Sequence, residues 1–288
     1  MPANHTSLDQ FLSAHRSAML ARLSSVKGSS PRAEGTAMLV SAEAIWGTIG
    51  GGALEYMVID KARQMLRDGR RDGMLDVPLG PEIGQCCGGR VEVFLRWLDE
   101  AGAESLRAEV AAEQDARPHV FVFGAGHVGH ALAKALALLP VRTHVVDTRP
   151  DELAGLPDGV EALAVALPEA VVRSAPPGSA FVILTHDHAL DFLIAAEALR
   201  RDDAVYVGMV GSKTKRAKFA SWFESAGGEP ARVARLVLPI GQQGLGDKRP
   251  EVIAALAAAE IMVHLGRGEA FLQTRTRNRG EQGAVDGR

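Results

Sequence analysis

Apolar residues recur along this chain in short blocks whose spacing alternates between that of helices and that of strands. Behind Ser7, a residue suited to capping a helix, Leu8, Phe11, Leu12 and His15 fall at helical spacing, so residues 7–20 predict a short lead-in helix. Residues 19–26 then read as a strand, stopped by the turn-forming cluster Lys27-Gly-Ser-Ser-Pro-Arg32. Short strands follow at 36–40 and 45–49, then Gly50-Gly51-Gly52 and an amphipathic helix over 53–67. Strands at 74–79 and 91–97 flank a glycine-rich loop over 80–89. Residues 1–100 are therefore expected to form a small α/β domain, and the Ala/Glu/Arg-rich residues 101–117 a polar helix or linker.

From residue 118 the blocks take a more specific order. Residues 120–123 are a run of four apolar side chains, suited to a buried strand and too short for a core helix. Gly124-Ala-Gly126-His-Val-Gly129 follows, then an Ala/Leu-rich helical stretch stopped by Pro140, then a second apolar strand over 143–146 that ends in Asp147. In such a turn Gly124 permits the tight bend, Gly126 lets a diphosphate approach the backbone, and Gly129 lets the helix pack on the strand. The helix start adds unpaired N–H groups and the positive end of its dipole. Asp147 lies 23 residues after Gly124, where a carboxylate takes a ribose 2′-OH. Strand, glycines, helix, strand and acid in this order predict a Rossmann-like βαβ unit. Further strands at 162–166, 180–184, 204–209 and 237–240, with helices at 169–174, 190–200, 213–225 and 250–265, extend it. The expected fold is α/β: an N-terminal small α/β domain followed by a Rossmann-like parallel-sheet domain over 118–266. Residues 267–288, polar and poor in core formers, are expected to fray.

Composition narrows the functions open to such a chain. An apolar share of 47% with 23% charged residues, over 288 residues, suits a soluble protein of about two domains. A formal net charge of −3 and 5% aromatics leave neither a basic footprint nor stacking platforms for nucleic acid. No apolar run approaches the ~18 residues of a membrane span, and no basic stretch precedes an apolar one at the start of the chain. The two cysteines are adjacent, which is no disulfide framework, so a cytoplasmic protein is expected.

Several turns carry candidate chemistry. Gly50, Gly51 and Gly52 leave N–H groups at a helix start, an anion site or simply a tight turn, with Glu55 placed to satisfy the dipole. Cys86 and Cys87 sit in a Gly/Gln loop beside Arg90. Free cysteines are usually buried small hydrophobes. Here flexible backbone and a nearby cation favour thiolate, both a nucleophile and a soft metal ligand. Thr185-His186-Asp187-His188 falls at a strand's carboxyl end and reads as a polar loop rather than a metal centre, with Asp191 as the one further acid to consider. Gly211 and Lys213 open a basic helix with Lys215 and Arg216, a phosphate clamp or a solvated face. Gly241-Gln-Gln-Gly-Leu-Gly246, with Lys248 and Arg249, makes another polar turn. His127 and His130 read as orienting or surface residues. No nucleophile elbow, HExxH, Walker A or paired-carboxylate signature is present.

The motifs GSSPR (28–32), GTIGGGALE (47–55), GPEIGQCCGGRVEV (80–93), FGAGHVGHALA (123–133), VVDTRP (145–150), THDHALD (185–191), VGMVGSKTKR (207–216) and PIGQQGLGDKRPEVIAALAAAE (239–260) occur in that order. Together they resemble the XdhC-type accessory proteins of xanthine dehydrogenase maturation, over roughly residues 18–265. The resemblance implies a cytoplasmic, dimeric, non-catalytic chaperone that binds the molybdenum cofactor in its molybdopterin form. It also implies partners: a cysteine desulfurase that exchanges an oxo for a sulfido ligand, and the molybdenum subunit of xanthine dehydrogenase. A loop cysteine of the family that contacts the cofactor falls on Cys86 or Cys87, with molybdenum as the contact. Gly50, Gly51, Gly52, Gly124, Gly126, His127, Gly129, Asp147, Gly211 and Lys213 complete the expected cofactor-binding set. The alternative from the βαβ unit alone is an NAD(P)-dependent oxidoreductase, with Asp147 favouring NAD and Arg149 softening that preference.

Overall fold

The computed structural model of the chain describes residues 7–80, 88–241 and 246–283, with side-chain surroundings through residue 267. The chain divides into two compact units, Met1–Glu113 and Gln114–Arg288.

In the first unit Ser7 caps α1 (Leu8–Ala14) with a reciprocal pair of bonds: Gln10 N–H donates to the Ser7 hydroxyl, and Ser7 N–H donates to the Gln10 side chain. The strands β1 (Met19–Lys27), β2 (Ala37–Val40), β3 (Ile45–Gly47), β4 (Asp72–Pro78) and β5 (Arg90–Trp97) form an antiparallel sheet in the order β3-β2-β1-β5-β4. Helix α2 (Gly52–Asp68) places Leu54, Val58, Ala62 and Met65 along one stripe. That stripe packs on Met19, Ala21, Leu23, Val93 and Leu95 of the sheet. Each fully buried large apolar side chain there contributes about 1.5–3 kcal/mol. Helix α3 (Glu100–Asp115) runs through most of the segment expected as a polar helix or linker. Its Leu106 joins Leu8, Phe11 and Leu39 in a smaller apolar cluster.

The second unit is a six-stranded sheet, parallel at every pairing: β6 (His119–Phe123), β7 (Arg142–Asp147), β8 (Val160–Ala164), β9 (Ala180–Ile183), β10 (Tyr206–Met209) and β11 (Leu236–Val237). Their order is β11-β10-β9-β6-β7-β8. Helices α4 (His127–Leu136) and α8 (Pro250–Gly283) border one core cluster. Helices α5 (Pro168–Ser174), α6 (His188–Arg200) and α7 (Lys213–Ser225) border the other. Burial on both faces explains why β6 and β9 read as continuous apolar runs instead of alternating ones. The strand order reverses between β6 and β9, so a crevice opens there at the carboxyl ends of the strands.

Three helix ends differ from expectation, the first being α1, which stops at Ala14 instead of running to residue 20. Helix α4 stops at Leu136, short of Pro140. The residue before a proline is steered out of helical dihedrals, and the chain uses the intervening residues for a tight exit, with Leu139 N–H on Leu136 O at 2.9 Å. Helix α8 continues to Gly283, beyond the expected end at 265. Arg, Glu, Gln and Leu in that stretch are good helix formers, so helix can persist where composition offers little core.

Candidate functional site

The turn between β6 and α4 uses its three glycines for three different reasons. Gly124 has φ +108°, and a Cβ there would meet Leu184 O at 2.6 Å. At Gly129 a Cβ would meet Gly124 O at 2.0 Å, so this glycine sets how closely α4 crosses the strand. Gly126, the N-cap of α4, has an ordinary extended backbone and no heavy atom within 4 Å of a Cβ position. Packing does not require glycine at 126. What a side chain there would obstruct is approach to the helix N-terminus from outside.

Asp147, at the end of β7, is 5% exposed and already engaged. Its Oδ2 accepts from Ala125 N–H at 2.8 Å and from Arg149 Nη2 at 3.1 Å. Its Oδ1 accepts from Arg149 N–H and Arg149 Nε, each at 3.0 Å. Burial opposes ionisation, but the bonds from Arg149 and Ala125 outweigh it and hold the carboxyl below the usual carboxylate range. The acid thus ties the glycine turn to the end of β7. A ribose hydroxyl would have to displace one of these donors.

The other loops on this sheet edge sort their polar residues into structural and free. Asp187 caps α6, its Oδ1 accepting from Ala189 N–H at 2.7 Å. Asp191 is fully buried, accepts from Thr185 N–H and Oγ1 at 3.1 and 2.7 Å, and pairs with Lys215 Nζ. Lys215 also donates to Val210 O at 3.0 Å, and Arg216 to Leu236 O at 2.6 Å, so these two cations hold the fold and are not a clamp. Lys213 remains exposed in the first turn of α7, behind the Ser212 cap and Gly211. His127, His186 and His188 are exposed, and His130 Nε2 lies 2.8 Å from Glu152 O. Among the described residues no group of three His, Cys, Asp or Glu side chains is placed to hold a metal ion. Among the described residues no helix is long and apolar enough to cross a membrane.

In the first unit, loops that are distant in sequence meet at one end of the sheet. A Cβ on Gly50 would meet Pro31 Cγ at 2.6 Å, and one on Gly89 would meet Ser29 O at 2.1 Å. The GSSPR loop is therefore wedged between the triple-glycine turn and the close of the β4–β5 connection, where Leu79 N–H donates to Gly89 O at 2.7 Å. Gly50, Gly51 and Gly52 all have positive φ, and Gly51, the N-cap of α2, has nothing within 4 Å of a Cβ position. Glu55 folds back to accept from Ile49 N–H at 3.1 Å and Thr48 Oγ1 at 2.7 Å, bracing the turn. Cys86 and Cys87 lie outside the described residues, as do 242–245 of the last polar turn.

Two networks went unread in the sequence. One is the Asp191–Lys215 pair, for which a buried acid four residues after a capping aspartate is the available signal. The other is a chain from His119 through His144 to Glu161, with 2.9 Å between His119 Nδ1 and His144 Nε2, and 2.9 Å between His144 Nδ1 and Glu161 Oε2. It joins three strands and has no local signature.

Residues 120–261 match the family model described as the XdhC Rossmann domain, and residues 11–77 that of the XdhC and CoxI family. Neither range includes Cys86 or Cys87. The uncharacterized protein YqeB of Escherichia coli (strain K12) is 28% identical over 251 residues, 84% of this chain and 42% of the relative. The chain thus spans less than half the length of that relative. A crystal structure described as a xanthine dehydrogenase from Bacillus halodurans shares the fold, with a TM-score of 0.73 over 90% of this chain and 94% of that one, at 18% identity.

Proposed function

The chain belongs to the XdhC and CoxI family, and on that basis we propose that it is an accessory protein of xanthine dehydrogenase maturation. In this reading it binds the molybdenum cofactor, shields it, presents it to a cysteine desulfurase and passes it to the dehydrogenase. The observation that carries the reading is the pair of family matches, one in each unit of a single chain.

The residues present suit such a cargo. Molybdopterin carries a phosphate, and the N-termini of α2 and α4 each present a glycine cap with open approach, Gly51 and Gly126. Lys213 is an exposed cation that fits the same anion chemistry. The dithiolene-bound molybdenum is soft, and the thiolate of Cys86 or Cys87 is its natural ligand.

The competing reading is an NAD(P)-dependent oxidoreductase, favoured by the glycine turn before α4. The engagement of Asp147 by Arg149 and Ala125 weighs against it, because the acid that would take the ribose is spent within the chain. The test is transfer: the purified chain, loaded with sulfurated cofactor, is mixed with apo-xanthine dehydrogenase. Activation that exceeds that by free cofactor supports the carrier role. No activation, together with hydride transfer from NADH to an acceptor by the chain alone, would overturn it.

A further inference from the structure

At the amino-terminal end of the parallel sheet, opposite the glycine turns, a cavity of about 350 Å³ is lined by Asp115, Arg117, Arg142, His144 and Glu161, among others. That volume is in the range of small-molecule sites. Among the described residues, three buried side-chain atoms have no hydrogen-bond partner within the chain: Arg117 Nε, Thr143 Oγ1 and His144 Nδ1. All three residues line this one cavity. Buried polar atoms are nearly always paired, so a cluster of exceptions around one cavity points to a ligand.

Thr143 and His144 are consecutive in β7, and both line the cavity together with Arg117. His144 is 7% exposed and its ring stacks on Phe121 with centroids 4.4 Å apart. Its Nε2 is engaged with His119 Nδ1 at 2.9 Å. Glu161 Oε2 lies 2.9 Å from His144 Nδ1, a contact made by a side chain that is 54% exposed and able to swing aside. Arg142 Nη1 makes only a 3.4 Å contact with Asp115 Oδ1, whose side chain is 81% exposed and open to exchange with solvent.

We propose that this cavity binds a small oxyanion, the carboxylate or phosphoryl group of a metabolite, between the Arg117 and Arg142 guanidiniums and the Nδ1–H of His144. In this arrangement His144 Nε2 accepts from His119 Nδ1–H, leaving the Nδ1 proton for the ligand. Asp115 is displaced from Arg142, and Glu161 from His144, as the anion enters.

The charged groups around His144 are His119 from β6, Arg142 from β7, Glu161 from β8, Asp115 from the end of α3 and Arg117 from the turn into β6. Burial, first of all, pushes His144 below the usual histidine range, with Glu161 opposing and His119 and Arg142 adding to the effect. A bound anion favours the imidazolium, so binding tightens as pH falls and the pH at which His144 titrates rises.

The experiment follows the imidazole signals of the full chain by NMR during titration with inorganic phosphate or acetate, against chloride at matched ionic strength. Saturable movement of the His144 signals is expected, with binding weakened at least tenfold in Arg117→Gln and in Arg142→Gln. Lys218→Gln, on an exposed face of α7, should bind normally. A response to phosphate alone identifies a phosphoryl ligand, and to acetate alone a carboxylate. Equal movement with chloride, or unchanged affinity in a folded Arg117→Gln, would overturn the proposal.

Discussion

Asp147→Asn removes the charge of the one acid that joins the glycine turn to β7 while keeping its shape. The carboxylate receives four bonds of 2.8–3.1 Å, one from Ala125 and three from Arg149. An asparagine keeps one acceptor oxygen and turns an amide donor toward N–H groups that are themselves donors. Breaking a fully buried ion pair costs about 3–5 kcal/mol, and an exposed pair about 0–1. Here the acid's side chain is 4% exposed and the arginine's 41%, so Arg149 can recover hydration when its partner is lost. An intermediate loss of about 2–3 kcal/mol follows. For a unit of this size each kcal/mol is worth about 2–4 °C, so the midpoint should fall by about 4–12 °C. The pH dependence gives a second handle. The folded carboxyl is held below its ordinary value, so its contribution is full above the unfolded value of about 3.9 and is lost as pH falls through the folded one. The gap between wild type and variant, measured by urea denaturation, should be constant near neutrality and shrink in acid. A loss under about 0.5 kcal/mol, or a gap that does not shrink in acid, would refute the structural role assigned to Asp147.

Gly129→Ala would drive a methyl into Gly124 O and should cost more than about 3 kcal/mol in urea denaturation, since backbone cannot step aside. Gly126→Ala meets nothing and should change stability by less than about 1 kcal/mol, yet weaken cofactor binding at least tenfold if the N-terminus of α4 holds the phosphate. Asp191→Asn strands Lys215 in the core beside a fully buried position and should lose about 3–5 kcal/mol by the same denaturation.

Strands, glycines and the terminal acid of the βαβ unit were legible because each leaves a local mark: an apolar run, a residue free of Cβ, a carboxylate at fixed spacing. What those residues touch was not. Asp147 was placed correctly as an acid at the strand end, but that Arg149 turns back on it depends on the path of the chain after β7. Lys215 and Arg216 read as a phosphate clamp or a solvated face because a helical pattern does not say which long side chains fold back onto buried carbonyls. The meeting of the GSSPR loop with Gly50 and Gly89 follows from β1 pairing with both β2 and β5, a long-range register that no window of sequence carries. His119, His144 and Glu161 sit on three neighbouring parallel strands, and their contact is equally invisible along the chain.

The carrier role rests finally on whether the chain holds the cofactor through Cys86 or Cys87. Anaerobic titration of the purified chain with molybdenum cofactor, run beside NADH, decides this. A dissociation constant of about 1 µM or lower, raised at least tenfold by Cys86→Ser or Cys87→Ser, is the predicted result. Binding of NADH without binding of the cofactor would contradict it.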